Sequence, residues 1–194
     1  MAELSDVEPE AWGLLEAATR EAGHPFRTLS LATVGVEGHP QTRSLILRAV
    51  RRQARQLELH TDIRSAKWPE LQTNPRVSLL GYDPEARLQL RFAGHARLFG
   101  PGTPKQEAQW EALSPWTRST YCGGPPGDDL ADGYTPAPRD TPPDEDETAF
   151  GQLRFGVIVI AVARMDWYRH RTGENLRAQF DYAGSRETSA WVNP

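Results

Sequence analysis

The residues with the most chemistry to offer lie between Arg43 and Gly94. Arg43 and Lys67 are cations, and Ser65 stands at the expected start of a short helix. The first turn of a helix points unpaired N–H groups and a positive dipole end at any nearby anion. An arginine adds the planar fork that suits a phosphate. Singly, Arg43 and Lys67 read as surface charges and Gln89 as an exposed strand residue; taken together, the two cations and the helix start can also serve as a grip for an anion. Gln89 alternates with Leu88 and Leu90, so its amide points away from their face and can meet the polar edge of a ligand.

Chemistry carried by the protein itself is hard to find. The chain shows no nucleophile elbow, paired-carboxylate signature, metal-ligand cluster or glycine-rich nucleotide fingerprint. Its five histidines, at 24, 39, 60, 95 and 170, are scattered. That pattern fits a protein whose cofactor does the reacting. The single cysteine, Cys122, excludes an intrachain disulfide and a zinc site of the usual spacing. A net charge of −4 gives no basic excess for general nucleic-acid binding. The local run Arg48, Arg51, Arg52, Arg55 reads as a strand end and turn facing water. Met1 to Asp6 lacks a signal-peptide pattern, and the longest apolar run, Gly156 to Ala163, is too short to span a bilayer. The expected location is the cytoplasm.

The elements that must position these residues follow from periodicity. Trp12, Leu14, Leu15 and Ala18 predict a helix over Pro9 to Glu21. Period-two alternation then predicts strands over 29–34, 43–49, 57–61, 76–82 and 88–99. Gly94 within the last of these marks a bulge or bend. A short helix, Ala66 to Gln72, is capped by Ser65 and ended by Asn74-Pro75. Thr103 to Tyr121 reads as helical, and the Gly-, Pro- and acid-rich stretch 122–148 as a long mobile loop. Phe155 to Ala163 is apolar on both faces and continues through Tyr168, with Leu176 to Tyr182 as its hairpin partner. The expected fold is mainly β with helices, a closed barrel forming one domain over 1–194.

Four segments, Gln41–Arg48, Leu59–Lys67, Asn74–Leu80 and Leu88–Gly94, occur in an order that resembles the pyridoxamine 5′-phosphate oxidase family of FMN-binding split barrels. The resemblance covers about half the chain. It implies FMN as cofactor, with Arg43 on the phosphate and Ser44, Leu45 and Ile46 along the isoalloxazine ring. Arg48 stands where the family has a lysine near flavin and substrate. Thr61 matches the second residue of a Tyr-Thr pair, whose tyrosine is replaced by His60. Ser65 and Lys67 match a Ser-Arg-Lys element, with Ala66 in place of its arginine and Arg64 one position earlier as a substitute charge. Gln89 matches a ring-contacting glutamine. Leu113 to Gly127 is similar to an element in which Arg118 and Ser119 approach FMN from a partner subunit. The resemblance thus implies a homodimer with flavin at the interface, and the apolar outer face of 155–163 is compatible with it.

The C-terminal substrate motif departs from the family. Asn175 and Arg177 stand in place of its Arg and His, and Gln179 in place of its flavin-contacting arginine. Each lost charge-assisted contact is worth roughly 1.5–3 kcal/mol, which weakens recognition of pyridoxamine phosphate. The expected function is therefore a flavin-dependent oxidoreductase acting on another small molecule. The alternatives are a genuine pyridoxamine 5′-phosphate oxidase, a barrel using deazaflavin or haem (with His170 or His95 as axial ligand), and a non-catalytic stress-type flavin binder.

Overall fold

The computed structural model describes residues 3–127, 144–184 and 186–194. The strands are β1 (Thr28–Val34), β2 (Pro40–Arg51), β3 (Gln56–Asp62), β4 (Arg76–Asp83), β5 (Leu88–Phe99), β6 (Phe155–Arg169), β7 (Leu176–Asp181) and β8 (Thr188–Trp191). They pair in the order β3-β2-β1-β4-β5-β6-β7-β8, and β3 also pairs with β6. That extra pairing closes β1 to β6 into a barrel and leaves β7 and β8 as an extension on the second half of β6. Every pairing is antiparallel.

The alternation seen in the sequence sets the barrel interior. Leu29, Leu31, Leu45, Leu47, Leu57, Leu59, Leu79, Leu90 and Phe92 are buried in one core cluster. Gly94 sits where the β5–β6 register shifts, as the bulge reading requires. A Cβ there would lie 2.2 Å from the Ala161 carbonyl oxygen, so the strands can approach this closely only at glycine. Helix α1 (Leu4–Arg20) packs Val7, Ala11, Trp12, Leu15 and Ala18 into the same core, and the Trp12 ring lies 6.2 Å from Phe92. It starts before Pro9 because Val7 and Leu4 are drawn onto the core as well.

Three other expectations need correction. The segment 103–121 is two helices, α3 (Pro104–Glu111) and α4 (Pro115–Ser119), rather than one. Pro115 cannot continue a helix, and the Ser114 hydroxyl accepts from the Thr117 N–H at 3.2 Å to cap a new one. Of the expected loop at 122–148, residues 128–143 lie outside the described residues, but its end is helical. Helix α5 (Glu145–Arg154) begins with a capping box between Asp144 and Glu147. The acidic run Glu145, Asp146, Glu147 faces the positive end of that helix, so the charges favour order. The outer face of 155–159 is covered within the chain: Phe155, Val157 and Val159 form a second cluster with Trp110 and Tyr121. It is not a free face for a partner. Strand β8, exposed along its length, had no signal in the sequence.

One row of residues crosses the outer face of the sheet in register. Ser44 lies opposite Ser30, Ser30 opposite Leu80, Leu80 opposite Arg91, Arg91 opposite Asp166, and Asp166 opposite Gln179. Among the described residues no helix is long and apolar enough to cross a membrane.

Candidate functional site

A cleft of about 410 Å³ opens between β2, β3, the helix α2 (Lys67–Thr73) and the segment after α4. Arg43, Ser44, Leu45, Ile46, Arg48, His60, Thr61, Asp62, Lys67, Thr120, Tyr121 and Pro126 line it. The volume lies within the roughly 300–1,000 Å³ of small-molecule sites. Strand pairing explains the gathering. β2 and β3 run antiparallel with Leu47 opposite Leu59, so Arg43–Arg48 and His60–Asp62 lie side by side.

One end of the cleft is cationic and built on hydroxyls. The Arg43 guanidinium donates to Glu70 Oε2 at 2.8 Å and to Thr33 Oγ1, while Thr33 donates to the same Glu70 oxygen at 2.6 Å. Glu70 is 6% exposed and Arg43 22%, so the arginine is held from behind with N–H groups left over. Lys67 Nζ donates to Ser65 Oγ at 2.6 Å and Thr61 Oγ1 at 3.0 Å. Burial lowers the Lys67 pKa, and the charge of Arg43 adds to this against Asp62 and Glu70. Ser65 does not cap α2. Ala66 is the N-cap, and the Ser65 hydroxyl instead donates to the Asp62 carbonyl at 2.6 Å, folding back onto the end of β3. It orients Lys67 rather than the helix amides.

At the other end stand Arg48 and His60. Arg48 Nε and His60 Nδ1 are buried and meet no partner among the described residues. His60 Nε2 lies 3.4 Å from Glu58 Oε1, and Lys105 Nζ donates to Glu58 Oε2 at 2.5 Å. Burial pushes the Glu58 carboxyl up, but hydrogen bonds from His60 and Lys105 outweigh it and hold the pKa below its ordinary value. Tyr121 closes this side, its phenol pushed up to about 12 chiefly by burial.

Thr120, Tyr121 and Pro126 were not foreseen as lining residues. They are brought there by backbone contacts that leave little trace in residue type. Arg154 donates to the carbonyls of Cys122 (2.9 Å) and Gly123 (3.0 Å), and Arg64 to those of Gly123 (3.1 Å) and Gly124 (3.3 Å). Arg64 also pairs with Asp62 at 2.6 Å, so it supports the wall of the cleft instead of replacing the missing charge at Ala66. Arg118 turns back onto α3, donating to the carbonyls of Trp110 (3.2 Å) and Glu111 (2.8 Å), and the Ser119 hydroxyl donates to Trp116 O. Neither lines the cleft of its own chain. Gln89 lies far along β5, opposite Tyr82 and Tyr168. His95 and His170 are exposed and line neither of the two cavities described here.

A second cavity of about 540 Å³ lies on the extension, lined by Ser78, Arg91, Arg164, Asp166, Gln179, Asp181 and neighbours including β8. Asp166 is its hub, accepting from Arg91 (3.0 Å), Arg177 (2.7 Å) and Gln179 (3.0 Å). Burial raises the Asp166 pKa, but hydrogen bonds from Arg177 and Gln179 and the charges of Arg177 and Arg91 leave it lowered. Among the described residues no group of three His, Cys, Asp or Glu side chains could hold a metal.

The barrel thus carries, at a strand end, a hydroxyl-lined cationic pocket whose chemistry suits the phosphate of a cofactor, and the cleft continues from it along β2. Residues 10–100 match the sequence model of the family described as pyridoxamine 5′-phosphate oxidase, FMN-binding domain. The chain is 27% identical over 122 residues to pyridoxine/pyridoxamine 5′-phosphate oxidase 2 of Arabidopsis thaliana, covering 60% of this chain and 61% of that protein. It is 34% identical over 92 residues to the pyridoxine/pyridoxamine 5′-phosphate oxidase of Chromobacterium violaceum, covering 47% and 41%. The chain thus spans less than two thirds of the length of these curated relatives. A crystal structure of a pyridoxamine 5′-phosphate oxidase-related, FMN-binding protein from Nostoc punctiforme superposes with a TM-score of 0.76 at 26% identity, covering 95% of this chain and 96% of that one. PhzG of Burkholderia lata shares the fold, with a TM-score of 0.71 at 18% identity over 95% and 90%. Residues 10–100 thus carry the sequence pattern of that family's FMN-binding domain, on a fold that the Nostoc FMN-binding protein shares along 95% of this chain.

Proposed function

We propose that the cleft holds FMN with its phosphate against Arg43, Lys67, Thr61 and Ser65 and its ring along Ser44, Leu45 and Ile46 toward Arg48 and His60. The observation that carries this reading is the cationic end, where Lys67 rests on the hydroxyls of Ser65 and Thr61 within reach of the Arg43 charge, and Arg43 keeps N–H groups beyond its pair with Glu70. Arg48 and His60 line the far end of the same cleft, beyond Ile46. FMN supplies hydride or electron transfer; the chain supplies anchoring, orientation and charge.

The activity is a flavin-dependent oxidoreduction of a small molecule other than pyridoxamine phosphate. Arg177 and Gln179, which stand where the family grips substrate and flavin, both bind Asp166, and that carboxylate offsets the positive charge an anionic substrate would need. The working unit is a homodimer in which Gln89, Arg118 and Ser119 approach the flavin from the second copy. Purified protein should be yellow and release FMN on denaturation, and it should turn over NADH or another donor faster than pyridoxamine phosphate. Colourless protein that binds no added FMN at micromolar concentration would overturn the cofactor reading. Efficient pyridoxamine phosphate oxidation would overturn the substrate reading.

A further inference from the structure

The wall that brings Thr120, Tyr121 and Pro126 to the cleft is rooted in the core only at Tyr121. That ring is buried and stands edge-on to Phe155 at 5.1 Å and to Trp110 at 6.0 Å. Past it, Cys122 and Gly123 are half-buried and residues 124–127 are exposed, so little apolar burial fixes their path. A Cβ on Gly123 or Gly124 would meet nothing within 4 Å, so the pair borders open space.

Two arginines hold this segment by its main chain. Arg154, in the last turn of α5, donates to the carbonyls of Cys122 at 2.9 Å and Gly123 at 3.0 Å. Arg64, in the turn after β3, donates to those of Gly123 at 3.1 Å and Gly124 at 3.3 Å. Both guanidiniums therefore meet on the Gly123 oxygen. Each is fixed from behind. Arg64 is gripped by both oxygens of Asp62, at 3.0 and 2.6 Å, and the Ile63 N–H donates to the Arg154 carbonyl at 2.8 Å. Neither arginine lines the cleft itself. A guanidinium offers its donors in a rigid fork, so a pair of them sets the direction of a carbonyl as well as its place. A segment held this way, with few buried apolar contacts, opens locally while the core stays closed.

We propose that Arg64 and Arg154 are positioning residues that latch the 121–127 wall against the cleft and thereby set how long a bound ligand stays. FMN is the ligand of the test, since the proposal rests on the reading that the cleft holds it.

The full chain is loaded with FMN, and release after dilution is followed by the return of flavin fluorescence in wild type, Arg154→Met and Arg64→Lys. Backbone amide hydrogen exchange is measured on the FMN-free proteins. Arg64→Lys keeps a charge beside Asp62 but has no fork with which to reach Gly123 and Gly124 as well. Each variant should release FMN about tenfold faster, with exchange raised at 121–127 and unchanged in β1 to β6. Release at the wild-type rate in both variants would overturn the proposal. So would faster release with exchange at 121–127 unchanged, because the wall would then have no part in it. Exchange raised throughout β1 to β6 in both variants would show that the arginines support the barrel and not the wall, and would overturn it too. Wild type that binds no FMN overturns the cofactor reading, and the exchange data then still decide whether the two arginines hold the wall.

Discussion

Replacing Arg43 by methionine should separate what the guanidinium does for the fold from what it does for the ligand. In the folded chain it donates to Glu70 and Thr33, and its loss leaves a 6% exposed carboxylate with only Thr33 as donor. Breaking one side of a fully buried pair costs about 3–5 kcal/mol. Arg43 is 22% exposed and so partly screened, and discounting for that gives about 2–3 kcal/mol. In a chain of this size that is a fall in Tm of roughly 4–12 °C. FMN binding should weaken separately, by about 1.5–3 kcal/mol for a charge-assisted contact, or roughly 10- to 150-fold. The double variant Arg43→Met/Glu70→Gln removes the orphaned charge but keeps an amide oxygen for Thr33. It should recover most of the stability and none of the FMN affinity. Urea denaturation of the FMN-free variants and titration by flavin fluorescence measure the two quantities. A double variant as unstable as Arg43→Met, or one that binds FMN like wild type, would refute the reasoning.

Two further outcomes follow from the sheet. Gly94→Ala should lose at least roughly 1–3 kcal/mol of stability in denaturant unfolding, because the new methyl meets the Ala161 backbone at 2.2 Å and no side chain can yield. The lowered pKa of Asp166 means that the unfolded chain takes up this proton first as pH falls, so the contribution is present above the ordinary carboxyl range and lost through the folded pKa below it. Asp166→Asn should therefore flatten the acid limb of a stability-versus-pH curve. A curve as steep as wild type would show that the hub adds nothing to stability.

Much of the barrel was legible because one face of each strand is buried. Leu29 and Leu31, Leu57 and Leu59, and Leu88 and Leu90 declare their side of the sheet by alternation, and Gly94 announces its bulge by having no side chain. The cleft was legible where the argument concerned strand neighbours: Arg43 to Arg48 and His60 to Thr61 are brought together by pairing. The assignment of Ser65 failed because a serine before a helix can serve the helix or the strand behind it, and here the Asp62 carbonyl is nearer. Reading 144–148 as loop failed because composition counts acidic residues without asking where they stand relative to a helix dipole. The wall at Thr120, Tyr121 and Pro126 lies in the 113–127 segment that the resemblance singles out through Arg118 and Ser119, but which of its residues face the cleft depends on main-chain carbonyls held by Arg64 and Arg154.

The row from Ser44 to Gln179 acts as a ruler. It takes five steps between neighbouring strands, each ~4.8 Å, so its ends lie about 24 Å apart along the sheet. Because β3 joins β2 to β6, that path follows the wall of a closed barrel, and the packed leucines inside leave a ligand over Ser44 no way to the β7 extension except around the outside.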